Sequence, residues 1–351
     1  MAYLYAMDNM VHTFKLAPDW GLIHAISKLD RFDASWGAIE KREGKSLKQL
    51  KSIATVRSVG ASTRIEGSAM SDEEVKVLIE KLSISKLEDR DSQEVAGYFQ
   101  ALDLISEVYH DMEVSEGTIK NLHNRLMKHS HNDGWHRGNY KQHSNVVEAA
   151  RPDGSKQVIF ETTPPGFATE DAMRALIEWW HTDTGTHPIV KCALFCYDFV
   201  SIHPFQDGNG RLSRLIATLL LLKNGYSWIQ YVSFEHEIEN RKGEYYQELM
   251  QSQKQRPGED VYSWVLFFLD CLNNISGQLM TKLSAQGTVA GLGPKEKRVY
   301  LFIENHPGSQ SGEIAEKLDI GLPTVKKILT ALVLQKLIVK HGAGAGTNYS
   351  L

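Results

Sequence analysis

The run "SIHPFQDGNGRLSR", residues 201–214, lies between two oily stretches, "PIVKCALFCYDFV" (188–200) and "LIATLLLL" (215–222). Both flanks are apolar at helical spacing, so the run reads as the loop of a helix–loop–helix in a mainly α protein. A plain helix-to-helix turn needs little more than a glycine and an asparagine. This one adds His203, Asp207, Arg211 and Arg214.

Gly208, Asn209 and Gly210 come immediately before a strong helix. Their backbone N–H groups can converge at its N-terminus, where the helix dipole favours an anion. Arg211 and Arg214 are three residues apart and so share a helical face. Two guanidiniums beside such an N-terminus suit a polyphosphate better than a single carboxylate. Asp207 supplies a hard oxygen for Mg²⁺, which takes one or two carboxylates plus substrate phosphates. His203 is a general base in the neutral range, and Phe205 pins the loop into the core. Together the residues predict transfer of a nucleotide or phosphoryl group to a nucleophile deprotonated by His203. The plainer alternative is a turn with a core histidine and a surface salt bridge.

Outward from that loop, helical periodicity dominates. "SLKQLKSIATVRSVGAS" spaces Leu47, Leu50, Ile53, Ala54 and Val59 at helical intervals, and "SDEEVKVLIEKL" opens with Ser71 and Glu74 at capping-box spacing. "DSQEVAGYFQALDLISEVY", "GTIKNLHNRLMKHS" and "EDAMRALIEWWHT" continue the 3.6-residue period, and Gly225 stops the helix that follows the loop. One stretch differs. In "VVEAARPDGSKQVIFETTPP", Pro152-Asp153-Gly154 is turn chemistry between two β-prone runs, which predicts a β-hairpin flap able to pair with an extended chain.

The chain of 351 residues is 42% apolar and 23% charged, with a formal net charge of −4, which argues against a protein that coats nucleic acid. Over 291–351, eight Lys or Arg face five Asp or Glu, a net +3; the remainder has 31 against 38. Three cysteines (Cys192, Cys196, Cys271) are too few for a disulfide framework. Cys192 and Cys196 sit one helical turn apart in an apolar segment and read as core. The expected setting is the reducing cytoplasm. The opening "MAYLYAMDNMVHTF" lacks a basic n-region followed by an apolar h-region, so no signal peptide is expected, and no apolar run reaches membrane-span length.

"SAQGTVAGLGP" (284–294) reads as a linker. The predicted organisation is an N-terminal helical region (1–110), a catalytic core (111–285), a linker (286–293) and a small C-terminal domain (294–351). In the last, three short helices precede a Gly-rich hairpin. Ser311 is the expected cap of the second helix, and Pro323 stands near the start of the third. Val325, Ile328, Leu329 and Leu332 share one face, with Lys326 and Lys327 off it. This pattern resembles a winged helix-turn-helix domain.

"HPFQDGNGRLSR" resembles, position for position, the Fic-family signature H-x-F-x-[DE]-G-N-G-R-x-x-R. The resemblance implies a mostly helical Fic core and AMP transfer from Mg-ATP to a Ser, Thr or Tyr hydroxyl of a protein. It assigns proton abstraction to His203 and Mg²⁺ to Asp207. It makes Gly208, Asn209, Gly210 and Arg211 the anion cradle and takes Arg214 to the γ-phosphate, with Leu212 and Ser213 inside the ATP-binding stretch. It further implies that Ile159, Phe160, Glu161 and Thr162 of the flap hold the target by strand pairing. Tyr245, Tyr246 and Gln253 would line the adenine side, with packing the alternative role for the tyrosines. Upstream, "STRIEGS" (62–68) fits [ST]-x-x-x-E-[GN] through Ser62, Glu66 and Gly67 and resembles the family's inhibitory motif. Glu66 paired with Arg214 would then occupy the guanidinium meant for the γ-phosphate and place like charge in its path. Removal of AMP through a water oriented by Glu66 stays open, as do a homodimer and self-modification. Two rival readings remain: the same fold transferring UMP or phosphate, and a DNA-binding regulator using Lys326, Lys327 and the "HGAGAG" hairpin while the core senses nucleotide.

Overall fold

A helix of 46 residues, α1 (Trp20–Ile65), begins where the Asp19 carboxylate accepts the Leu22 N–H at 2.8 Å. It ends at Gly67, whose φ of +108° turns the chain out of the helix. The computed structural model describes residues 14–83, 87–131, 134–150, 156–335 and 337–351 and divides into two units at Gly277/Gln278.

In the first unit, α2 (Asp72–Glu80) carries the reciprocal Ser71/Glu74 capping box. Then come α3 (Arg90–Val108), capped by Asp89, and α4 (Glu116–Leu126), capped by Ser115. An antiparallel hairpin, β1 (Val146–Ala150) and β2 (Lys156–Glu161), interrupts the helices. Its expected turn at Pro152-Asp153-Gly154 lies outside the described residues. The chain continues through α5 (Phe167–Thr182), α6 (Pro188–Ile202), α7 (Asn209–Lys223), α8 (Phe234–Asn240) and α9 (Lys242–Gln253) to α10 (Tyr262–Gly291), within which the division at Gly277/Gln278 falls.

α6 and α7 pack against each other at the centre, and almost every side chain of both is buried. That is why their sequences are apolar all round rather than along one stripe. α1 packs on α3, α8 and the 3₁₀ turn Ser227–Tyr231, burying Leu47, Leu50, Ala54 and Val59; Ile53, on the same spacing, faces solvent. The three cysteines are buried and unbonded, and burial pushes their thiols up, as core residues require. No helix of the described residues is long and apolar enough to cross a membrane.

The second unit holds α11 (Pro294–Asn305), α12 (Ser311–Leu318), α13 (Leu322–Leu334) and a hairpin of β3 (Val339–His341) and β4 (Asn348–Ser350). Its core includes Val299, Ile303, Ile314 and the expected face of α13, Val325, Ile328, Leu329 and Leu332, while Lys326 and Lys327 are exposed. Two expectations need correction. Ser311 is the first helical residue, and Gln310 occupies the cap position without a side-chain bond. Residues 286–291 are the last turns of α10 rather than linker. Once a helix is nucleated each further residue adds a bond, so an interior glycine costs only about 1 kcal/mol and does not stop it.

α3 approaches the end of α4 so closely that a Cβ on Gly97 would overlap the Leu126 carbonyl. Gly97→Ala should therefore lower unfolding free energy by about 1–3 kcal/mol despite its better helix propensity. Urea denaturation checks this: stabilisation would mean that the contact is not tight.

Candidate active site

α6 ends at His203, which adopts the left-handed conformation (φ 54°, ψ 58°) and closes the helix with a 3.0 Å bond from its N–H to the Phe199 carbonyl. A non-glycine residue holds that conformation only when its surroundings fix it. Here they do. The Asn209 amide grips Phe205 twice, accepting its N–H at 2.9 Å and donating to its carbonyl at 2.8 Å. The Phe205 ring is fully buried and stacks on His123 at 3.8 Å. His123 accepts the Gly138 N–H at Nδ1, so its Nε2 carries the hydrogen and donates to the Asp207 carbonyl at 3.0 Å. The expectation that Phe205 pins the loop is met. Asn209, expected in an anion cradle, spends its side chain on bracing the loop and leaves only its backbone N–H at the helix tip.

His203 is poised as a base. Its Nδ1 lies 3.2 Å from the Val200 carbonyl, which can only accept, so Nδ1 carries the hydrogen and Nε2 is left with a lone pair. Burial, with a smaller push from Lys141, lowers its pKa to about 4 against the opposing pull of the Val200 carbonyl and the Glu66 and Asp207 charges. The ring is neutral at pH 7.

Both arginines of the loop are 2% exposed and already engaged. Arg211 bridges Asp207 Oδ2 at 2.9 Å and Glu94 Oε2 at 3.1 Å. Arg214 donates to Ser62 Oγ at 2.8 Å, the Ser62 carbonyl at 3.0 Å and Glu66 Oε1 at 2.8 Å. Ser62 and Glu66 are one helical turn apart at the end of α1, so one face of that helix supplies all three acceptors. Burial would push the Glu66 carboxyl up, but the two guanidiniums, Arg214 foremost, hold it below the usual carboxylate range. Its carboxylate rests against the first turn of α7, where a Cβ on Gly210 would collide with it. The N–H groups of Asn209, Gly210 and Arg211 have no intrahelical partner at that end.

A cavity of about 160 Å³ runs from this point to α9. Ligand clefts are generally about 300–1,000 Å³, and here the Glu66 carboxylate stands in the wall of the space. Glu66, His203, Asp207, Gly208, Asn209, Gly210, Arg211, Arg214, Tyr245, Tyr246 and Gln253 line it. Tyr245 and Tyr246 meet edge to face at 5.1 Å, and the Gln253 amide donates to Ser201 Oγ at 3.0 Å. Leu212 and Ser213 do not line it. They are buried on the far side of α7, because two residues between a pair spaced i, i+3 point away from that pair's face. Gly67 shapes the end of α1 and does not reach the cavity.

Of the flap residues, Glu161 pairs with Val146 and Phe160 with Val147, while the register shift that follows leaves Ile159 as the extra residue of a bulge. Thr162 lies just beyond β2, with its hydroxyl on Asn145. Sequence reasoning missed Arg90, Val200, Leu249 and Met250 in the cavity wall, and Glu94 behind Arg211. Glu94 had a signal: it continues the buried stripe Tyr98, Ala101, Ile105 of α3, where an acid must have a partner.

Among the described residues no three His, Cys, Asp or Glu side chains converge as a metal site. Asp207 is a single carboxylate, 49% exposed, with Oδ2 on Arg211. That donor set suits Mg²⁺ only when phosphate and water oxygens complete the shell.

Residues 113–221 match the Fic/DOC family model. A curated protein adenylyltransferase Fic of Drosophila willistoni is 27% identical over 205 residues, 57% of this chain and 38% of the relative. One of Nematostella vectensis is 26% identical over 208 residues, 56% and 45% of the two chains. The chain thus spans less than half the length of these curated relatives. Among solved structures, a Fic family protein of Desulfovibrio desulfuricans superposes with a TM-score of 0.61 at 23% identity, over 97% of both chains. A Fic domain containing signaling protein of Bacteroides thetaiotaomicron gives 0.56 at 21% identity, over 74% of this chain and 94% of that one. These similarities establish a shared fold.

¹⁵N NMR of the ring nitrogens should find His203 neutral, with hydrogen on Nδ1, from pH 8 to below pH 5, and titrating near 4. A midpoint near the ordinary 6.5 would contradict the buried, carbonyl-fixed ring.

Proposed function

We propose that the chain is a protein adenylyltransferase of the Fic/DOC family, whose model residues 113–221 match. It moves AMP from ATP to a Ser, Thr or Tyr hydroxyl of a protein. The observation that carries this reading is the meeting of three things in one cavity: the bare Nε2 of His203, the open N-terminus of α7, and Arg214 on the same helical face.

ATP would lay its phosphates on the N–H groups of Asn209, Gly210 and Arg211, its γ-phosphate on Arg214 and its base toward Tyr245 and Tyr246. Asp207 would hold Mg²⁺ together with phosphate oxygens, and the ion supplies neutralisation of phosphate charge. His203 Nε2 takes the proton of the acceptor hydroxyl as its oxygen bonds to the α-phosphorus. The α–β bridging P–O bond breaks, and pyrophosphate leaves with that electron pair. The N–H groups at the tip of α7 are aimed at the charge that develops on the phosphoryl oxygens.

The Glu66–Arg214 pair is proposed as the brake on this reaction. It removes the cation the γ-phosphate needs and puts a carboxylate where three phosphate oxygens must sit. Nucleotide that still entered would be displaced, and a misplacement of about 1 Å costs roughly 100-fold in rate.

Glu66→Gly should raise label transfer from α-labelled ATP onto protein by about tenfold or more, and adding His203→Ala should abolish it. Parallel reactions with γ-labelled ATP and with UTP identify the group moved. A Glu66→Gly protein no faster than wild type would remove the brake, and label arriving only from the γ position would replace AMP transfer with phosphoryl transfer.

A further inference from the structure

Next to His203 lies a buried amine that the chemistry above does not use. Lys141 is 2% exposed, and among the described residues its Nζ meets no carboxylate. Its three hydrogens go to three neutral oxygens: Asn145 Oδ1 at 2.9 Å, Thr162 Oγ1 at 2.8 Å and the Ile202 carbonyl at 3.2 Å. A buried ammonium costs several kcal/mol, and here hydrogen-bond dipoles alone offset it. Burial pulls its pKa down to about 8, so the amine still carries its third hydrogen at pH 7.

The acceptors share a geometric meaning. Val146 pairs with Glu161 at the base of the hairpin, so Asn145 and Thr162 are its two feet. Ile202 precedes His203, and the residue after it, Pro204, gives its carbonyl to the main-chain N–H of Lys141 at 2.8 Å. The carbonyls on both sides of the left-handed His203 are therefore bonded to one lysine. Asn145 adds a third tie, donating from Nδ2 to the Phe205 carbonyl at 2.8 Å. The Thr162 hydroxyl lies 2.7 Å from the Asn145 carbonyl and 2.6 Å from its Oδ1, so it passes its own hydrogen back within the same cluster.

We propose that Lys141 is a positioning residue that locks both feet of the flap to the residues on either side of His203, through its side chain to the Ile202 carbonyl and its main chain to the Pro204 carbonyl. In that arrangement one side chain sets the place of the base and the place of the strand that presents the acceptor. This rests on the transfer reading above. It explains how His203 is held in its left-handed conformation, and why an amine with three donors, rather than a hydroxyl or amide, occupies the junction. Alignment between base and acceptor is where small displacements are most costly, whereas the nucleotide cradle on α7 is built from other residues.

The test compares Lys141→Met with its parent in the Glu66→Gly background. Methionine keeps the length of the stem and removes every donor. The proposal expects kcat for AMP transfer to fall about 100-fold, with ATP affinity within about twofold of the parent. Amide exchange should accelerate in peptides covering 143–150 and 200–206 and stay unchanged in α3. Retained kcat, or a parallel loss of ATP affinity, overturns it. Thr162→Val, nearly isosteric, should show the same pattern at about tenfold and carries the test if the methionine variant does not fold. A Glu66→Gly parent that moves no AMP would count against the transfer reading instead. The exchange data then judge the lock alone: acceleration in both segments supports it, and no change in either overturns it.

Discussion

Arg214 is a cation with almost no access to water, and a buried cation must find compensation inside the protein. It finds it on α1, in the hydroxyl and carbonyl of Ser62 and the carboxylate of Glu66. The arrangement has an electrostatic cost at the other end, because Glu66 sits at the C-terminus of a long helix, where the dipole disfavours negative charge. Two guanidiniums and the opposing N-terminus of α7 outweigh that cost. One group thus ties two helices together and, in the proposed reading, is also the seat of the γ-phosphate. In that reading two anions would compete for one cation, and occupancy by either would exclude the other.

The tip of α1 is held firmly enough for that competition to matter. Arg64 pairs with Glu239 of α8 at 2.6 Å and with Asp72 of α2 at 3.0 Å. Lys242 donates to the Ile65 carbonyl at 2.6 Å, satisfying an end-of-helix acceptor. On the other side of the cavity, Asn209, His123 and Lys141 bind backbone groups of the loop 202–207 directly. Rigid parts therefore face each other across the space where chemistry would occur, as preorganised catalysis requires.

Periodicity and capping chemistry make the helical class, the capping box at Ser71 and the α13 face legible in the sequence. The loop 203–214 was legible because its chemistry is contiguous in the chain. What escaped is what tertiary contact creates. Lys141 and Asn145 stand in irregular segments with no period to mark them, and they meet Thr162 and Ile202 only in three dimensions. Leu249 and Met250 read as ordinary apolar residues of α9. The roles given to Leu212 and Ser213 came from treating a contiguous motif as a contiguous surface, which a helix never presents. Residues 286–291 were assigned by composition, but helix propagation from α10 carried through them. The Asn209 side chain carried no sequence signal of its own, because its amide matches the two backbone groups of Phe205 only once the loop is folded.

The central claim is that Glu66 and a γ-phosphate exclude one another at Arg214. Calorimetric titration of wild type and Glu66→Ala with ATP and, separately, with AMP tests it most directly, because AMP carries the base and α-phosphate without the disputed group. The account expects ATP affinity to rise about tenfold on removing the carboxylate while AMP affinity changes less than about twofold. An equal gain for both nucleotides, or no gain for ATP, would contradict it.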